Sequence, residues 1–203
     1  MWSENFCKLL SKNQYKLMVS SSTFADIESV KKICVKNKSY KLMRFDEYNI
    51  KRKCLFRKLK YVAEYVNLEL GFANDRMEIN DHVIYIMLLE SEKKVVGYLE
   101  ALPIFKSFKI LKYEDDVITL HPQSISNTKI GISKLWTAME HRQIGIARSM
   151  LDECRASFFK NSNTSVSQFE IAFSSINDNF IYFLQKYYNG NLNDILIYLL
   201  EHN

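Results

Sequence analysis

The chain has 203 residues, of which 47% are hydrophobic, and contains only 5 glycines and 2 prolines. This length suits one full domain with a small appendage, and this composition excludes a collagen-like or low-complexity chain. The formal net charge of +5 is a mild basic excess that fits an acidic partner but does not require one. The four cysteines include no CxxC pair, so we expect reduced thiols and no disulfide framework.

The first fifty residues give the weakest periodicity, and we interpret residues 1–50 as an N-terminal appendage and residues 51–203 as the main domain. Residues 1–10 lack the apolar core and cleavage site of a signal peptide. No stretch approaches the about 20 apolar residues of a membrane-spanning helix. We therefore expect a nucleocytoplasmic protein without membrane contact. A basic run over residues 51–60 favours a solvated face over a nucleic-acid patch.

The spacing of apolar residues predicts the elements that follow. Apolar residues recur at helical spacing from Leu55 to Leu70, and Gly71 can adopt the left-handed conformation that ends helices. Later apolar runs are short and bounded by polar turns, as in strands. In chain order we predict a helix over 55–70, a hairpin of strands 83–89 and 95–102, a long surface connection over 105–129, a strand over 130–138, a helix over 145–159, a strand over 169–173, a helix over 178–188 and a strand over 195–200. This order implies an α/β sheet covered by helices.

The turn after strand 130–138 carries Arg142, Gly145 and Ala147. Backbone amides at a helix N-terminus lack intrahelical partners and lie at the positive end of the helix dipole, so they can cradle a pyrophosphate. The spacing R-x-x-G-x-A fits the Q/R-x-x-G-x-G/A signature with which GCN5-related N-acetyltransferases hold acetyl-coenzyme A. Taken alone, a helix that begins at a glycine-containing turn explains it equally well. The strand before it and the strand and helix beyond it favour the signature.

Four segments resemble the sister-chromatid cohesion establishment acetyltransferases, a family within that superfamily. Residues 131–136 (GISKLW) are similar to their G-I-S-R-I-W strand, and residues 170–174 (EIAFS) to their E/V-A-F-S strand. Upstream, residues 66–72 (VNLELGF) are similar to their helix ending in D-L-G-F, and residues 93–97 (KKVVG) to their K-K-V-V-G strand. The resemblance implies the GCN5-related N-acetyltransferase fold, a mixed central sheet flanked by helices.

The resemblance also implies acetyl-coenzyme A as co-substrate. The main chain of Leu135, Trp136 and Thr137 would bind the pantetheine arm, and Trp136 could at the same time be a core aromatic. The other residues implied at the cofactor are Arg142, Gln143, Ile144, Gly145, Ile146, Ala147, Arg148, Asn177, Asp178 and Asn179.

Acetyl transfer needs a neutral amine, whereas a free lysine has a pKa of about 10.4, so a proton acceptor is required. Asp152 occupies the helix position of a family glutamate and Ser133 matches the family's strand serine. We expect these two as substrate-side polar groups, with a merely solvated Asp152 as the alternative. Tyr187 matches a tyrosine that protonates the departing thiolate in the wider superfamily, or it packs in the core.

One departure concerns catalysis directly. The family follows A-F-S with aspartate, proline and threonine, whereas this chain continues with Ser175, Ile176 and Asn177. Ser175 therefore stands where the family has a candidate catalytic aspartate. Asp178 could supply a carboxylate from three residues on, or could favour the start of the next helix by capping.

A second departure concerns zinc. Family members carry an N-terminal finger with two cysteines and two histidines, but here Leu10, Val30 and Cys34 stand at three of those positions, which leaves Cys7 and Cys34. Because tetrahedral zinc normally takes four ligands, we predict a degenerate finger without metal. The four histidines, His82, His121, His141 and His202, are scattered and suggest no other metal site.

Three functional hypotheses follow from the sequence. The resemblance implies a lysine acetyltransferase that modifies the cohesin ATPase-head subunit in the nucleus during DNA replication, with chromatin or the replication machinery as further candidate partners. Ser175 favours a catalytically weakened module that binds acetyl-coenzyme A or cohesin. A GCN5-related enzyme acting on a small amine is the third hypothesis. An open groove beside Ser133 and Asp152 would favour a protein substrate, and a closed pocket a small amine.

Overall fold

The computed structural model describes residues 30–48, 50, 53–72, 81–114, 117–160, 164–174 and 176–199. These residues form nine strands and three α-helices. The strands are β1 (Lys31–Val35), β2 (Lys38–Phe45), β3 (Val83–Leu89), β4 (Lys94–Pro103), β5 (Ser107–Glu114), β6 (Val117–Ile125), β7 (Ile130–Thr137), β8 (Ile171–Phe173) and β9 (Leu196–Ile197). The helices are α1 (Lys53–Leu70), α2 (Ile146–Ser157) and α3 (Asp178–Tyr187).

All nine strands form one mixed sheet in the order β1-β2-β3-β4-β7-β8-β9-β5-β6. The run from β1 to β7 is antiparallel, whereas β7, β8 and β9 are parallel neighbours. Helix α2 connects β7 to β8, and α3 connects β8 to β9, as parallel pairs require a crossover. The predicted mixed sheet flanked by helices is therefore present.

Helix α1 confirms the helical stripe seen in the sequence. It buries Leu59, Val62 and Val66, which recur at intervals of three and four residues and so share one face. The helix ends at Leu70, and Gly71 follows with a φ of +85°, the left-handed conformation expected of a glycine at this position.

The predicted surface connection over 105–129 is wrong, because most of it forms the antiparallel hairpin of β5 and β6. Most side chains of β6 are exposed or only partly buried, because this strand is the edge of the sheet. An edge strand that buries little carries no clear alternation of apolar residues. His121-Pro122 also lies in this strand, and proline is tolerated at a sheet edge.

The region before residue 50 is partly integrated into the sheet. Strand β2 pairs with β3 and contributes Tyr40, Leu42, Met43 and Phe45 to the core, each 0% exposed. Residues 1–29 lie outside the described residues, so an appendage remains a prediction for them alone. The sequence signal was weak because lysines and an arginine interrupt the apolar residues of β2.

The helices cover opposite faces of the sheet. Met150 of α2 packs so closely on Gly97 of β4 that a Cβ there would lie 2.9 Å from its Sδ. Gly97 pairs with Thr137, so Trp136 points to the other face, where its ring meets Tyr65 of α1 at 5.7 Å between centroids. We call the side of the sheet that α2 covers the α2 face, and the side that α1 covers the α1 face. No helix in the described part of the chain is long and apolar enough to cross a membrane.

Candidate active site

The turn before α2 is built to receive an anion. Gly145 is the N-cap residue with a φ of +92°, and no side chain caps this helix. Gln143 also adopts a positive φ, of 59°. Nothing lies within 4 Å of the position that a Gly145 Cβ would occupy. Because Gly145 is exposed and no side chain caps the helix, the first amides of α2 are open to a ligand at the positive end of the helix dipole, which is the arrangement that binds phosphate.

Two arginines flank this turn. Arg142 donates from Nε to the Thr137 carbonyl at 3.1 Å. Arg148 donates to the Lys186 carbonyl at 3.1 Å, and its guanidinium lies 5.0 Å from the centroid of the Tyr187 ring. Both side chains are exposed, so each can also meet a ligand's phosphates. Ile146, 1% exposed, anchors the turn in the core.

A gap opens between β7 and β8 next to this turn. In the described residues β7 pairs with β8 through Ile130, Gly131 and Ile132, and just after β8 the Ser174 amide donates to the Ile132 carbonyl. Strand β7 continues to Thr137 without β8 beside it. Its far half therefore has a free edge, where main-chain groups can bind an extended ligand.

A β-bulge decides which residues face this gap. The register between β4 and β7 shifts at Glu100 and Ala101, so that Ser133 is the extra residue. Beyond the bulge Trp136 pairs with Tyr98, and the Ala138 amide donates to the Val96 carbonyl. Because the main-chain groups of successive residues point to opposite edges, those of Leu135 and Thr137 face the gap.

The three residues predicted at the pantetheine arm differ in the direction of their main-chain groups. The main-chain groups of Leu135 and Thr137 are placed to bind it, although the Thr137 carbonyl already accepts from Arg142. Trp136 directs its main chain to β4, and its side chain is 4% exposed. In the structure it is a core aromatic, as the alternative interpretation held.

Ser133 lies at the point where β7 and β8 part. Its hydroxyl donates to the Glu100 carbonyl at 3.2 Å, and its own carbonyl accepts from the Ser174 hydroxyl at 3.1 Å. These two bonds brace the bulge and the end of β8. Ser133 is thus close to the gap, whereas Asp152 bonds to groups on α2 and α3, so the two predicted substrate-side residues have different hydrogen-bond partners.

Asp152 and Tyr187 form a hydrogen-bonded group with Arg155. The Tyr187 hydroxyl donates to Asp152 Oδ1 at 2.8 Å, and Arg155 Nη1 lies 3.1 Å from that hydroxyl and 3.3 Å from the same Oδ1. Burial, reinforced by Asp152 and opposed by Arg155, raises the pKa of Tyr187 to about 12. The phenol therefore keeps its proton at neutral pH, as an acid must. Asp152 is engaged and is not simply solvated.

The start of α3 corrects one expectation. Asn177 is the N-cap residue, and its Oδ1 accepts from the Phe180 amide at 2.9 Å. Asp178 is the first helical residue, so it is not the N-cap residue. Asn179 is exposed. Ser175 lies outside the described residues.

Two groups near these residues were not predicted from the sequence. Glu100 on β4 is 1% exposed and Lys134 on β7 is 5% exposed, and their side chains form an ion pair at 3.3 Å. A charged residue inside the apolar run 95–102 was the available signal. His141, beside Arg142, is 5% exposed and is hydrogen-bonded through Nδ1 to the Tyr40 hydroxyl at 3.2 Å.

Metal binding is not indicated by the residues that the structure describes, in which no three histidine, cysteine or acidic side chains are grouped as ligands. Cys34 is a free, exposed thiol, and Cys7 lies outside the described residues. The degenerate zinc finger therefore stays a prediction.

Comparison with known families supports the resemblance. Residues 126–198 match the family model described as ESCO1/2 acetyl-transferase. The chain is 30% identical over 148 residues to N-acetyltransferase ESCO2 of Homo sapiens, covering 66% of this chain and 24% of that protein. It is 31% identical over 138 residues to N-acetyltransferase ESCO2 of Mus musculus, covering 66% of this chain and 23% of that protein. The chain thus spans about a quarter of the length of these curated relatives.

Comparison with solved structures supports the fold. The xEco2 acetyltransferase domain bound to a K105-CoA conjugate superposes with a TM-score of 0.69 at 26% identity, covering 80% of this chain and 95% of that one. The same domain without the conjugate gives a TM-score of 0.68 at 26% identity, over 80% of this chain and 92% of that one. The predicted GCN5-related N-acetyltransferase fold is confirmed.

Proposed function

We propose, from the match of residues 126–198 to the ESCO1/2 acetyl-transferase family, that this chain transfers the acetyl group of acetyl-coenzyme A to a lysine side chain. The observation that carries the proposal is the uncapped N-terminus of α2 beside the free edge of β7. An anion site and an extended strand edge side by side fit a ligand with a pyrophosphate and an amide-containing arm.

The residues have separate roles in this proposal. The amides from Gly145 to Arg148, with Arg142, hold the pyrophosphate, and Leu135 and Thr137 bind the pantetheine arm through their main chains. Asn177 and Asn179 lie at the neighbouring helix start.

Bound acetyl-coenzyme A supplies a thioester whose carbonyl carbon the amine attacks. Tyr187, protonated and oriented by Asp152, gives its proton to the departing sulfur.

The substrate proposed is a lysine of the cohesin ATPase-head subunit, and the place is the nucleus during DNA replication. The support is the similarity to ESCO2 proteins together with the family resemblance in the sequence. The related xEco2 domain has been captured with a K105-CoA conjugate, which fits an enzyme of this fold that acts on a lysine.

Isotopically labelled acetyl-coenzyme A tests the substrate class. The protein is incubated with a recombinant cohesin head, with a histone octamer and with a panel of small polyamines, and labelled acetyl groups are mapped by mass spectrometry. We expect label on lysines of the cohesin head above the level in the other two reactions. Label on the polyamines alone would assign the enzyme to small-amine substrates.

A second candidate function is a binding module without turnover, and Ser175 is the observation that favours it. The residue stands where the resemblance expects an aspartate, so a proton acceptor has been lost there. Such a module would bind acetyl-coenzyme A in calorimetry and label no amine in the reaction above.

A further inference from the structure

A buried polar cluster lies on the sheet beside the proposed active site. His82 Nδ1 is 2.7 Å from Glu100 Oε1, and Lys134 Nζ is 3.3 Å from Glu100 Oε2. The Tyr98 hydroxyl donates to the same Oε2 at 2.8 Å. Placing charges in an apolar sheet face costs several kcal/mol of desolvation, which an ion pair only partly offsets. A cluster of this kind points to a function beyond stability.

The register of the sheet puts this cluster on the α1 face. Glu100 pairs with Ile84 on one side and with Lys134 on the other. The side chains of Ile84, Glu100 and Lys134 therefore share a face. Trp136, two residues beyond Lys134, points to the same face and contacts α1. Asp152 lies on α2, and Tyr187 of α3 is hydrogen-bonded to it, so this pair lies on the α2 face. The proposed proton donor and the buried cluster therefore lie on opposite faces of the sheet.

The cluster is also adjacent to the gap between β7 and β8. Ser133, the bulged residue at the gap, bonds to the Glu100 carbonyl. Tyr198, whose pKa burial raises, donates through its amide to the Phe173 carbonyl at the end of β8. Its ring packs on Gly131, where a Cβ would lie 2.9 Å from Tyr198 Cε1.

Within the cluster, Glu100 is a poor proton acceptor. Burial opposes its ionisation, but the hydrogen bond from His82 and the charge of Lys134 outweigh burial and lower its pKa. Glu100 therefore stays ionised and orients its neighbours. His82 uses Nδ1 to bond with Glu100, which leaves Nε2 of the neutral ring with a free lone pair. The His82 side chain is 14% exposed, so part of it meets the solvent from which a substrate amine arrives.

We propose that His82, oriented by Glu100, accepts the proton that the substrate amine must lose before it attacks the acetyl group. This inference rests on the acetyl transfer proposed above. It supplies a proton acceptor in place of the aspartate that the resemblance expects at residue 175, and it does so from the residue before β3.

The proton and electron balance is complete. The substrate ammonium gives one proton to His82 Nε2, and its nitrogen lone pair forms the bond to the acetyl carbon. The carbon–sulfur bond breaks and its electron pair leaves on sulfur, which takes the Tyr187 proton. Solvent takes the second proton of the nitrogen and the proton on His82, and it reprotonates Tyr187.

The decisive variant is His82→Gln in the full chain, tested with the amine substrate that supports wild-type turnover. Glutamine can still donate a hydrogen bond to Glu100, but it cannot accept a proton at neutral pH. We expect turnover to fall on the order of 100-fold, the usual contribution of a general base, with acetyl-coenzyme A affinity within twofold of wild type. His121→Gln, at a histidine on β6 outside this cluster, is the matched control and should leave turnover unchanged.

Glu100 is tested together with its ion-pair partner, because the single change would leave Lys134 buried without its counter-ion. The double variant Glu100→Gln with Lys134→Met removes both charges and should lower turnover about tenfold through poorer orientation of His82. A folded His82→Gln protein with turnover within threefold of wild type would overturn the proposal. A variant that loses cofactor affinity as much as turnover would also overturn it, because the role would be structural. A wild-type protein that acetylates no amine would remove the function on which the proposal rests.

Discussion

Tyr187 is the side chain on which the acid half of the proposed chemistry depends. It is 3% exposed, and its hydroxyl contacts both Asp152 and Arg155. A phenol with a raised pKa keeps its proton through the physiological range, and a neighbouring cation stabilises the phenolate that forms when the proton leaves. Proton donation to the thiolate is thus chemically consistent with this environment.

Tyr187→Phe should lower turnover on the order of 100-fold without weakening acetyl-coenzyme A binding. Phenylalanine fills the same space and retains the ring beside Arg148, so packing survives while the proton donor is lost. Single-turnover kinetics and calorimetry measure the two quantities separately. Unchanged single-turnover rates would show that water protonates the thiolate.

Asp152→Asn distinguishes a positioning role from a basic one. Asparagine keeps the size of the side chain, and its Oδ1 can still accept from the Tyr187 hydroxyl, so we expect only about a tenfold loss of turnover. Asn191→Ala, which removes a side-chain acceptor just after α3 and no acidic group, is the control for indirect effects of helix movement. A loss of 100-fold or more in Asp152→Asn would instead make Asp152 the proton acceptor.

At the same scale, sequence patterns indicate a candidate cofactor turn more readily than candidate catalytic groups. The residues from Arg142 to Ala147 stand out because the signature is local and its helix and strands are adjacent in sequence. The bond between Asp152 and Tyr187 joins two helices, and that between His82 and Glu100 joins the residue before β3 to β4. Such pairs depend on register and helix orientation, which a single sequence does not specify.

The element that matters most for cofactor binding is the turn before α2. Gly145→Asp should abolish acetyl-coenzyme A binding, because a carboxylate would enter the open space beside Gly145 and repel the pyrophosphate. A non-glycine residue at a φ of +92° also strains the backbone by about 1 kcal/mol or more.

Gly71→Asp provides the control for that strain. Gly71 has a φ of +85° and likewise has nothing within 4 Å of its missing Cβ, but it follows the C-terminus of α1 and does not open α2. We expect Gly71→Asp to lose stability by a similar amount and to bind acetyl-coenzyme A normally in calorimetry. Normal binding by a folded Gly145→Asp protein would remove the cofactor site from this turn.

The same turn is tied to β2 through the Tyr40–His141 hydrogen bond, and this contact should make stability depend on pH. Burial, with help from Lys38 and Lys94 and against Glu140 and Glu92, lowers the pKa of His141. The folded state therefore favours neutral imidazole. The contribution of neutral His141 to the free energy of unfolding is complete above the unfolded-state pKa of about 6.5. This contribution is lost as the pH falls below that value.

Denaturant unfolding at about pH 7.5 and about pH 5.5 measures this effect. Wild type should lose more free energy of unfolding between these two conditions than His141→Gln, which carries no titrating group at this position. An equal loss in both proteins would show that other groups cause the pH dependence.

For the molecule as a whole, the integration of β1 and β2 has a direct consequence for stability. Tyr40, Leu42, Met43 and Phe45 are fully buried, and each large apolar side chain stabilises the fold by about 1.5–3 kcal/mol. Their sum is comparable to the 5–15 kcal/mol stability of a typical domain. A fragment of residues 51–203 should therefore show no cooperative thermal transition by circular dichroism, whereas the full chain should. A cooperative transition in the fragment would make residue 50 a true domain boundary.

The elements from β7 to β9 were predicted in order, because buried strands and amphipathic helices alternate there with clear periods. The hairpin of β5 and β6 and the strands β1 and β2 were missed for a different reason. They lie towards the two ends of the sheet, where polar residues interrupt the apolar pattern. Their membership in the sheet is decided by neighbours far away in sequence.

The central claim, acetyl transfer to lysine, is tested most directly by one measurement. The full chain is mixed with labelled acetyl-coenzyme A and a recombinant cohesin head, and acetyl-lysine is mapped by mass spectrometry over time, with the Gly145→Asp protein in parallel. The proposed function predicts label on lysines of the cohesin head in the wild-type reaction and none above background in the variant. Absence of label with wild type, under conditions in which a human or mouse ESCO2 protein labels the same head, would contradict it.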